Sequence, residues 1–371
     1  MRIALVSDWL AVYGGAEHTI EEFRTLWPSA PLFTTVAKRG NLGPLDAADI
    51  RTTRLQRRYR ILGHHQPLLA QMPRAVESID LRGFDVILSS SHAVAKGIIP
   101  PGTSVHICYC HTPMRYAWEM EDQYLEDFRV PKTLQSYVRG ALKKLRRWDL
   151  STAKRVDQFI ANSSETQERI RRIYARDSIV IHPPAADRFF QSPIQKPTSY
   201  KLQATSYLAV GRLVPYKRFD LLIELANKEH LPLIIAGHGQ EEKRLKRMAG
   251  PTVTFAGFVS EDELPRLYAT SKALLFPQYE DAGIVPLEAQ ASGTPVIAFG
   301  KGGARDTIVE GTTGLFFTEQ TVDALKDAVT RFEKMQFDPA VIRKHAAQFS
   351  SERFRMRVKE TVEETRSAIH R

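Results

Sequence analysis

Short apolar runs alternate with amphipathic stretches along most of the chain. In the first half, residues 3–6, 32–36, 85–89, 104–110, 158–161 and 178–182 read as strands. Residues 16–27, 67–78, 132–155 and 165–174 carry the helical period between them. The periodicity then fails over residues 183–206, where Pro183, Pro184, Pro193 and Pro197 are spaced by polar residues. Beyond it the alternation restarts. Strands are expected at 207–210, 231–236, 253–258, 273–276, 296–299 and 314–317. Helices are expected at 217–227, 261–270 and 284–291, and over most of 321–371. Strands alternating with helices predict parallel sheets covered on both faces. The fold class is α/β, with a first domain over 1–185, a linker over 186–205 and a second domain over 206–350, followed by a last helix over 351–371. A length of 371 residues also exceeds what one core usually holds.

Chemistry-bearing residues gather where strands are expected to end. Glu280 and Glu288 lie between the apolar runs 273–276 and 295–299. A strand, loop and helix over this stretch puts Glu280 in the loop and Glu288 one turn into the helix, so both carboxylates can face one crevice. Gly283 lies between them, where a backbone can approach a ligand. Acids suited to a helix N-terminus are the plainer reading. Arg212 and Lys217, in the stretch 211–218, flank a turn after the first strand of the second domain. Two fixed cations beside a helix start can neutralise a diphosphate without a metal; surface cations are the alternative. Gly14 and Gly15 open the first helix and fit an anion loop or an ordinary tight turn, although the dinucleotide pattern G-x-G-x-x-G is absent. Gly302 with Gly303, and Gly237 with Gly239, repeat such glycine turns. His111 follows an apolar strand, where a histidine can position or deprotonate a hydroxyl or serve a structural role. Tyr116 and Trp118 could wall a sugar ring.

Charge and cysteine content narrow the setting. The net charge is +10, with Arg51, Arg54, Arg57, Arg58 and Arg60 in one stretch and Lys143, Lys144, Arg146 and Arg147 in another. Such clusters suit nucleic acid, anionic lipid or a phosphorylated substrate, or are simply solvated. No apolar run reaches the roughly 20 residues of a membrane helix. Asp8 interrupts the apolar start of the chain, which therefore reads as a strand and not as a signal peptide. The two cysteines, Cys108 and Cys110, are expected to be unbridged. A cytoplasmic location is expected, with a peripheral position at the inner membrane face as an extension of it.

Taken together, these residues resemble the retaining GT-B glycosyltransferases, the large family that includes bacterial mannosyltransferases and sucrose-phosphate synthases. The resemblance spans nearly the whole chain and is densest over 207–317. It implies two Rossmann-like domains facing a central cleft, with the final helix crossing back to the first. It also implies that Glu280 contacts the donor sugar, Glu288 the ribose, and Arg212 and Lys217 the diphosphate. Gly14 and Gly15 match the family's N-terminal glycine loop, His111 lies near the transferred sugar, and Phe258 and Val259 lie by the nucleobase. Asp281, Ala282, Gly283, Ile284 and Val285 complete the donor-binding stretch. Relatives often carry an aromatic at the position of Ala282 and Glu at that of Asp306. The implied reaction moves a hexose, with mannose from GDP-mannose as the leading choice, from a nucleotide diphosphate sugar to a lipid-linked glycan. It proceeds with retention, and no metal or other cofactor is required. The alternatives are a UDP-sugar transferase with a soluble acceptor, a sugar phosphorylase, a silent nucleotide-sugar sensor and a nucleic-acid-binding protein. The last lacks a reader motif, and no nucleic-acid partner is expected.

Overall fold

The computed structural model describes residues 1–119, 121–122, 125, 130–191 and 206–369. The chain divides into two compact units, Met1–His182 with Arg355–Arg371, and Pro183–Phe354.

The first unit holds a seven-stranded parallel sheet. Its strands are β1 (Ile3–Ser7), β2 (Leu32–Thr34), β3 (Ile50–Thr52), β4 (Val86–Ser91), β5 (Val105–Cys110), β6 (Gln158–Ala161) and β7 (Ser178–Val180). They lie in the order β3-β2-β1-β4-β5-β6-β7. The second unit holds β8 (Tyr207–Val210), β9 (Leu233–Ala236), β10 (Val253–Gly257), β11 (Leu274–Phe276), β12 (Val296–Phe299) and β13 (Gly314–Phe317), in the order β10-β9-β8-β11-β12-β13. Each order reverses once, between β1 and β4 and between β8 and β11. The crevice outside the carboxyl ends of the strands at such a reversal is where open α/β sheets take ligands.

Both sheets are buried on both faces, and for that reason their strands read as apolar runs. In the second unit Tyr207, Ala209, Ile235, Leu275 and Ile297 pack on one side with Leu222, Ile223, Leu225 and Ala226. Leu208, Ile234, Ala236, Leu274, Phe276 and Val296 pack on the other with Leu267, Tyr268, Leu287 and Ala289. The alternation is the period of two that a strand imposes. In the first unit Cys108 and Cys110 share one face of β5 and one apolar cluster, and both thiols are free.

The helices used below are α1 (Gly15–Leu26), α2 (Leu55–Leu62), α3 (Lys132–Thr152), α4 (Ser164–Tyr174), α5 (Phe219–Glu229), α6 (Leu264–Thr270), α7 (Ile284–Ala291) and α8 (Ser351–Ile369). Three features differ from the sequence reading. The edge strand β3 and the arginine-bearing α2 have no counterpart in it. Residues 183–191, read partly as linker, belong to the second unit, where Asp187–Phe190 is a helical turn with Phe189 buried against Tyr268. The rest of the expected linker, residues 192–205, and the last two residues of the expected final helix lie outside the described residues.

Candidate functional site

The second unit's crevice is built from the loops that follow β8 and β11. After β8 the chain turns at Gly211 and runs through a 3₁₀ turn, Pro215–Lys217. Glycine is required around this loop by close backbone approach. A Cβ on Gly237 would lie 2.0 Å from the Gly211 carbonyl oxygen, and one on Gly239 would lie 2.3 Å from that of Leu213. The turn after β9, read from sequence as another strand-to-helix glycine turn, is therefore the seat of the Arg212 loop. Leu213 N–H donates to the His238 carbonyl at 2.9 Å, and Glu241 N–H donates to the Leu213 carbonyl at 3.0 Å.

Lys217 is 7% exposed, and its Nζ lies 2.7 Å from Glu280 Oε1. Burial alone would lower the ammonium's pKa. The Glu280 carboxylate, with help from Tyr216, more than offsets this, and the net shift is upward. Arg212 is exposed, and its charge acts against the ammonium of Lys217. It has no side-chain partner among the described residues, which leaves it as the uncompensated cation of the loop.

The loop carrying Glu280 is held by the second glycine pair. Gly303 N–H donates to the Glu280 carbonyl at 3.0 Å. A Cβ on Gly302 would lie 2.2 Å from that same oxygen, and one on Gly303 would lie 2.4 Å from the Asp281 carbonyl. The sequence read Gly302 and Gly303 as a glycine turn of the anion-loop kind; the structure adds that they pack against the backbone of residues 280–282. Asp281 and Ala282 continue the loop, half-buried. Gly283 caps α7 at a φ of +67°, in the left-handed region that favours glycine. Ile284 and Val285 form the first turn of α7, whose N–H groups have no partner within the helix. Glu288 is one turn further on. It accepts a hydrogen bond from the buried Tyr268 hydroxyl at 2.9 Å. Burial and the charges of Glu288 and Glu280 hold that phenol well above its usual range, so it stays a donor. Sequence reasoning missed Tyr268, whose aromatic ring reads only as core.

Phe258 and Val259 follow β10 and diverge: Phe258 is 74% exposed and Val259 is buried. Phe258 N–H donates to His238 Nε2 at 2.9 Å, and His238 Nδ1 lies 2.9 Å from Glu242 Oε2. Because Nε2 accepts, Nδ1 carries the proton. His238 thereby fixes the loop that exposes Phe258; it too escaped the sequence reading.

The first unit holds the remaining predicted residues. Gly14 caps α1 with extended backbone, and Gly15 begins it. The expected anion position there is contested by the chain itself. The Glu17 carboxylate takes hydrogen bonds from the backbone of Glu17 and Gly14, while burial raises its pKa. His111 follows β5, with Nε2 2.8 Å from Ser90 Oγ. Burial, reinforced by the charge of His92, pushes its pKa down to about 3, so the imidazole is neutral near physiological pH. Trp118 is half-buried: its indole N–H donates to the buried Asp149 at 2.7 Å, and its ring packs against the core.

Among the described residues no three His, Cys, Asp or Glu side chains converge as a metal-holding group, and no helix is long and apolar enough to cross a membrane. The structure thus brings Arg212, Lys217, Glu280 and Glu288 to one crevice of the second unit. It places Gly14, Gly15 and His111 at strand ends of the first.

Comparison with known proteins bears on both units. Residues 13–188 match the family described as Glycosyltransferase Family 4, and residues 193–351 match the one described as Glycosyl transferases group 1. A GDP-mannose-dependent alpha-(1-6)-phosphatidylinositol monomannoside mannosyltransferase of Mycobacterium tuberculosis is 32% identical over 192 residues, 45% of this chain and 50% of that protein. A glycogen synthase of Pseudomonas aeruginosa is 36% identical over 146 residues, 37% of this chain and 28% of that protein. The chain thus spans half or less of the length of these curated relatives. Among solved structures, sucrose-phosphate synthase of Thermosynechococcus elongatus superposes with a TM-score of 0.72 at 17% identity, covering 99% of this chain and 100% of that one. HepE of Anabaena, in complex with UDP, does so at 0.69 and 17%, covering 98% and 100%. At such identities the likeness is one of fold. Two family matches that between them take in nearly the whole chain, on two parallel sheets of this architecture, make it a member of the GT-B glycosyltransferases.

Proposed function

We propose that the chain transfers a hexose from a nucleotide diphosphate sugar to a hydroxyl, holding the donor in its second unit. The observation that carries this is the buried Lys217–Glu280 pair with the unpaired Arg212 beside it, at the β8/β11 reversal. Lys217 is already largely balanced by Glu280, so Arg212 supplies most of the net positive charge for a diphosphate. Glu280 gives one carboxylate oxygen to Lys217, and the other accepts from sugar hydroxyls. Glu288, steadied by Tyr268, accepts from the ribose. Phe258, Val259 and the stretch from Asp281 to Val285 line the rest of the donor position. Gly14, Gly15 and His111 act from the first unit. His111 does so as a neutral hydrogen-bonding group and not as a base.

In the reaction the bond from the anomeric carbon to the β-phosphate oxygen breaks, and a bond to the acceptor oxygen forms on the same face. The acceptor proton passes to the departing phosphate. Charge therefore builds on the diphosphate, where fixed cations stabilise it without reorganisation. No metal cofactor is needed in this scheme, since Arg212 and Lys217 meet that charge.

Mannose from GDP-mannose is the donor we favour, supported by the name of the mycobacterial relative. The glycogen synthase match supports a glucosyl donor instead. A thermal-shift panel with GDP-mannose, UDP-glucose, UDP-galactose and UDP-N-acetylglucosamine, without added metal, separates them. A ligand at 100 times its Kd stabilises by about 2.7 kcal/mol. One donor should shift the melting curve selectively, and a folded protein that responds to none of the four counts against the assignment. For the acceptor we propose a lipid-linked glycan met at an anionic, cytoplasm-facing membrane. The support is α2, which exposes Arg57, Arg58 and Arg60 and carries Ile61 at 85% exposure. Failure to sediment with anionic liposomes at low salt would remove the membrane part alone.

A further inference from the structure

The first sheet has its own reversal, between β1 and β4, and the residues just beyond those two strands form a charged pair. Asp8 follows β1 and is fully buried. Its carboxylate accepts from the backbone N–H groups of His92 at 2.7 Å, Ala93 at 3.1 Å, and Val94 and Ala95 at 2.5 Å, and from Ser91 Oγ at 3.3 Å. It also meets His92 Nδ1 at 3.0 Å. The turn after β4 is thereby locked, and the His92 ring with it.

The other nitrogen of that ring is not used. The His92 side chain is 31% exposed, and Nε2 has no hydrogen-bond partner among the described residues. A histidine needed only to brace Asp8 would have no reason to keep an open edge. Burial pulls the His92 pKa down, but Asp8 and Glu17 outweigh it and the net shift is upward. With Nδ1 held on Asp8, Nε2 donates when the ring is charged and accepts when it is neutral, and a hydroxyl can answer either. Trp9 meets the ring edge-on at 4.7 Å and itself stacks on His65 at 4.4 Å. An open ring nitrogen, the Glu17 carboxylate and an indole thus gather at the carboxyl edge of one sheet. The second unit places its own cation–anion pair, Lys217 with Glu280, at the equivalent reversal.

The nearby carboxylate decides between ligand classes. A phosphate would be repelled by Glu17, whereas a sugar ring offers hydroxyls to both the ring nitrogen and the carboxylate and an apolar face to the indole. We propose that His92, oriented by Asp8, is a further substrate-contacting residue, whose open Nε2 hydrogen-bonds a hydroxyl of a sugar ring seated beside Trp9 on the acceptor side. The name acceptor rests on the transfer reading; the binding does not.

The test is an imidazole-detected NMR titration of the full chain with methyl α-mannoside and methyl α-glucoside, with inorganic pyrophosphate as the anionic probe. His92→Gln identifies the resonance by its loss. One glycoside should move the His92 signals. His92→Asn, which keeps a donor toward Asp8 but removes Nε2, should stay folded and weaken glycoside binding at least about tenfold, the size of one lost hydrogen bond. A shift with pyrophosphate alone, no shift with any probe, or unchanged glycoside affinity in His92→Asn would each overturn the proposal. If the nucleotide-sugar panel is silent while the glycoside titration responds, the transfer reading fails and this one stands. If the panel responds and the titration is silent, the reverse holds.

Discussion

At the scale of single residues, a side chain's value is set by what already neutralises it. Arg212 and Lys217 look alike in sequence, yet the structure gives Lys217 a carboxylate at 2.7 Å and leaves Arg212 exposed and unpaired. Arg212→Ala should therefore leave the melting temperature near that of the parent and cut turnover by about 100-fold or more, the range seen when one fixed stabilising donor is lost. Turnover within a few-fold of the parent in a folded variant would remove Arg212 from the chemistry. A second prediction concerns buried imidazoles. His106, bonded to Ser89 Oγ at 2.8 Å and to the Arg155 carbonyl at 3.0 Å, is pushed by burial from the ordinary 6.5 to about 4. His65 is lowered to about 4, and His111 to about 3. Between pH 6.5 and about 4 the unfolded chain binds a proton at each of these sites that the native chain refuses, so native stability falls as pH falls through that window. The slope is about 1.4 kcal/mol per pH unit for each histidine. The raised pKa of His92 acts oppositely, adding stability below its unfolded value that is lost as pH rises through its folded one. Thermal melts of the parent from pH 7 to 5 should decline, and His106→Asn should flatten that decline; parallel curves would exclude His106 as a source.

At the scale of elements, the loops beyond the strands set the site, and glycine governs how closely they pack. Gly303→Ala puts a methyl 2.4 Å from the Asp281 carbonyl and 2.6 Å from the Ala282 carbonyl carbon, backbone atoms that yield only by moving the Glu280 loop. Gly311→Ala, at a φ of +78°, meets nothing closer than the Met335 methyl at 3.8 Å and costs about 1 kcal/mol of backbone strain. The first substitution should abolish the nucleotide-sugar thermal shift, and the second should preserve it while lowering the melting temperature by a few degrees. Equal responses from the two would mean that the Glu280 loop is not what Gly303 supports. The contrast also marks how much could be read in the sequence. The strands and helices of the second unit were legible because their periods are regular and both sheet faces are apolar. The spacing of Glu280 and Glu288 followed from that frame. That Gly302 and Gly303 seat the Glu280 loop was not legible, because a glycine that seats a backbone and one that cradles an anion share the same letters. Strand β3 and helix α2 were missed because three residues hold no period and arginines mask the apolar face of Leu55 and Tyr59. Asp8 and His92, 84 residues apart, are joined only by strand order; in the sequence Asp8 is merely a charge in an apolar run.

At the scale of the whole molecule, the chain does not build its units in simple succession. The first unit is completed by Arg355–Arg371, after the entire second unit has been made. The described part of that segment lies in α8, where Val358 and Val362 are fully buried and Arg355 pairs with Glu22 of α1 at 2.7 Å. Burying two valines contributes about 3–6 kcal/mol, against about 5–15 kcal/mol for a typical domain. The ion pair, with Arg355 partly exposed, adds less than about 1 kcal/mol. Loss of the segment should therefore bring the first unit close to its unfolding threshold and spare the second, whose residues Pro183–Phe354 are left whole. A chain ending at Phe354 should show a low-temperature transition sensitive to His92→Asn, along with a later one that nucleotide sugar still raises. That pattern would place the last helix in the architecture of the first unit and keep donor binding in the second. A single transition at the parent temperature would show that α8 contributes little to stability. Loss of the donor response in an otherwise folded second unit would mean that donor binding needs the segment from Arg355 onward.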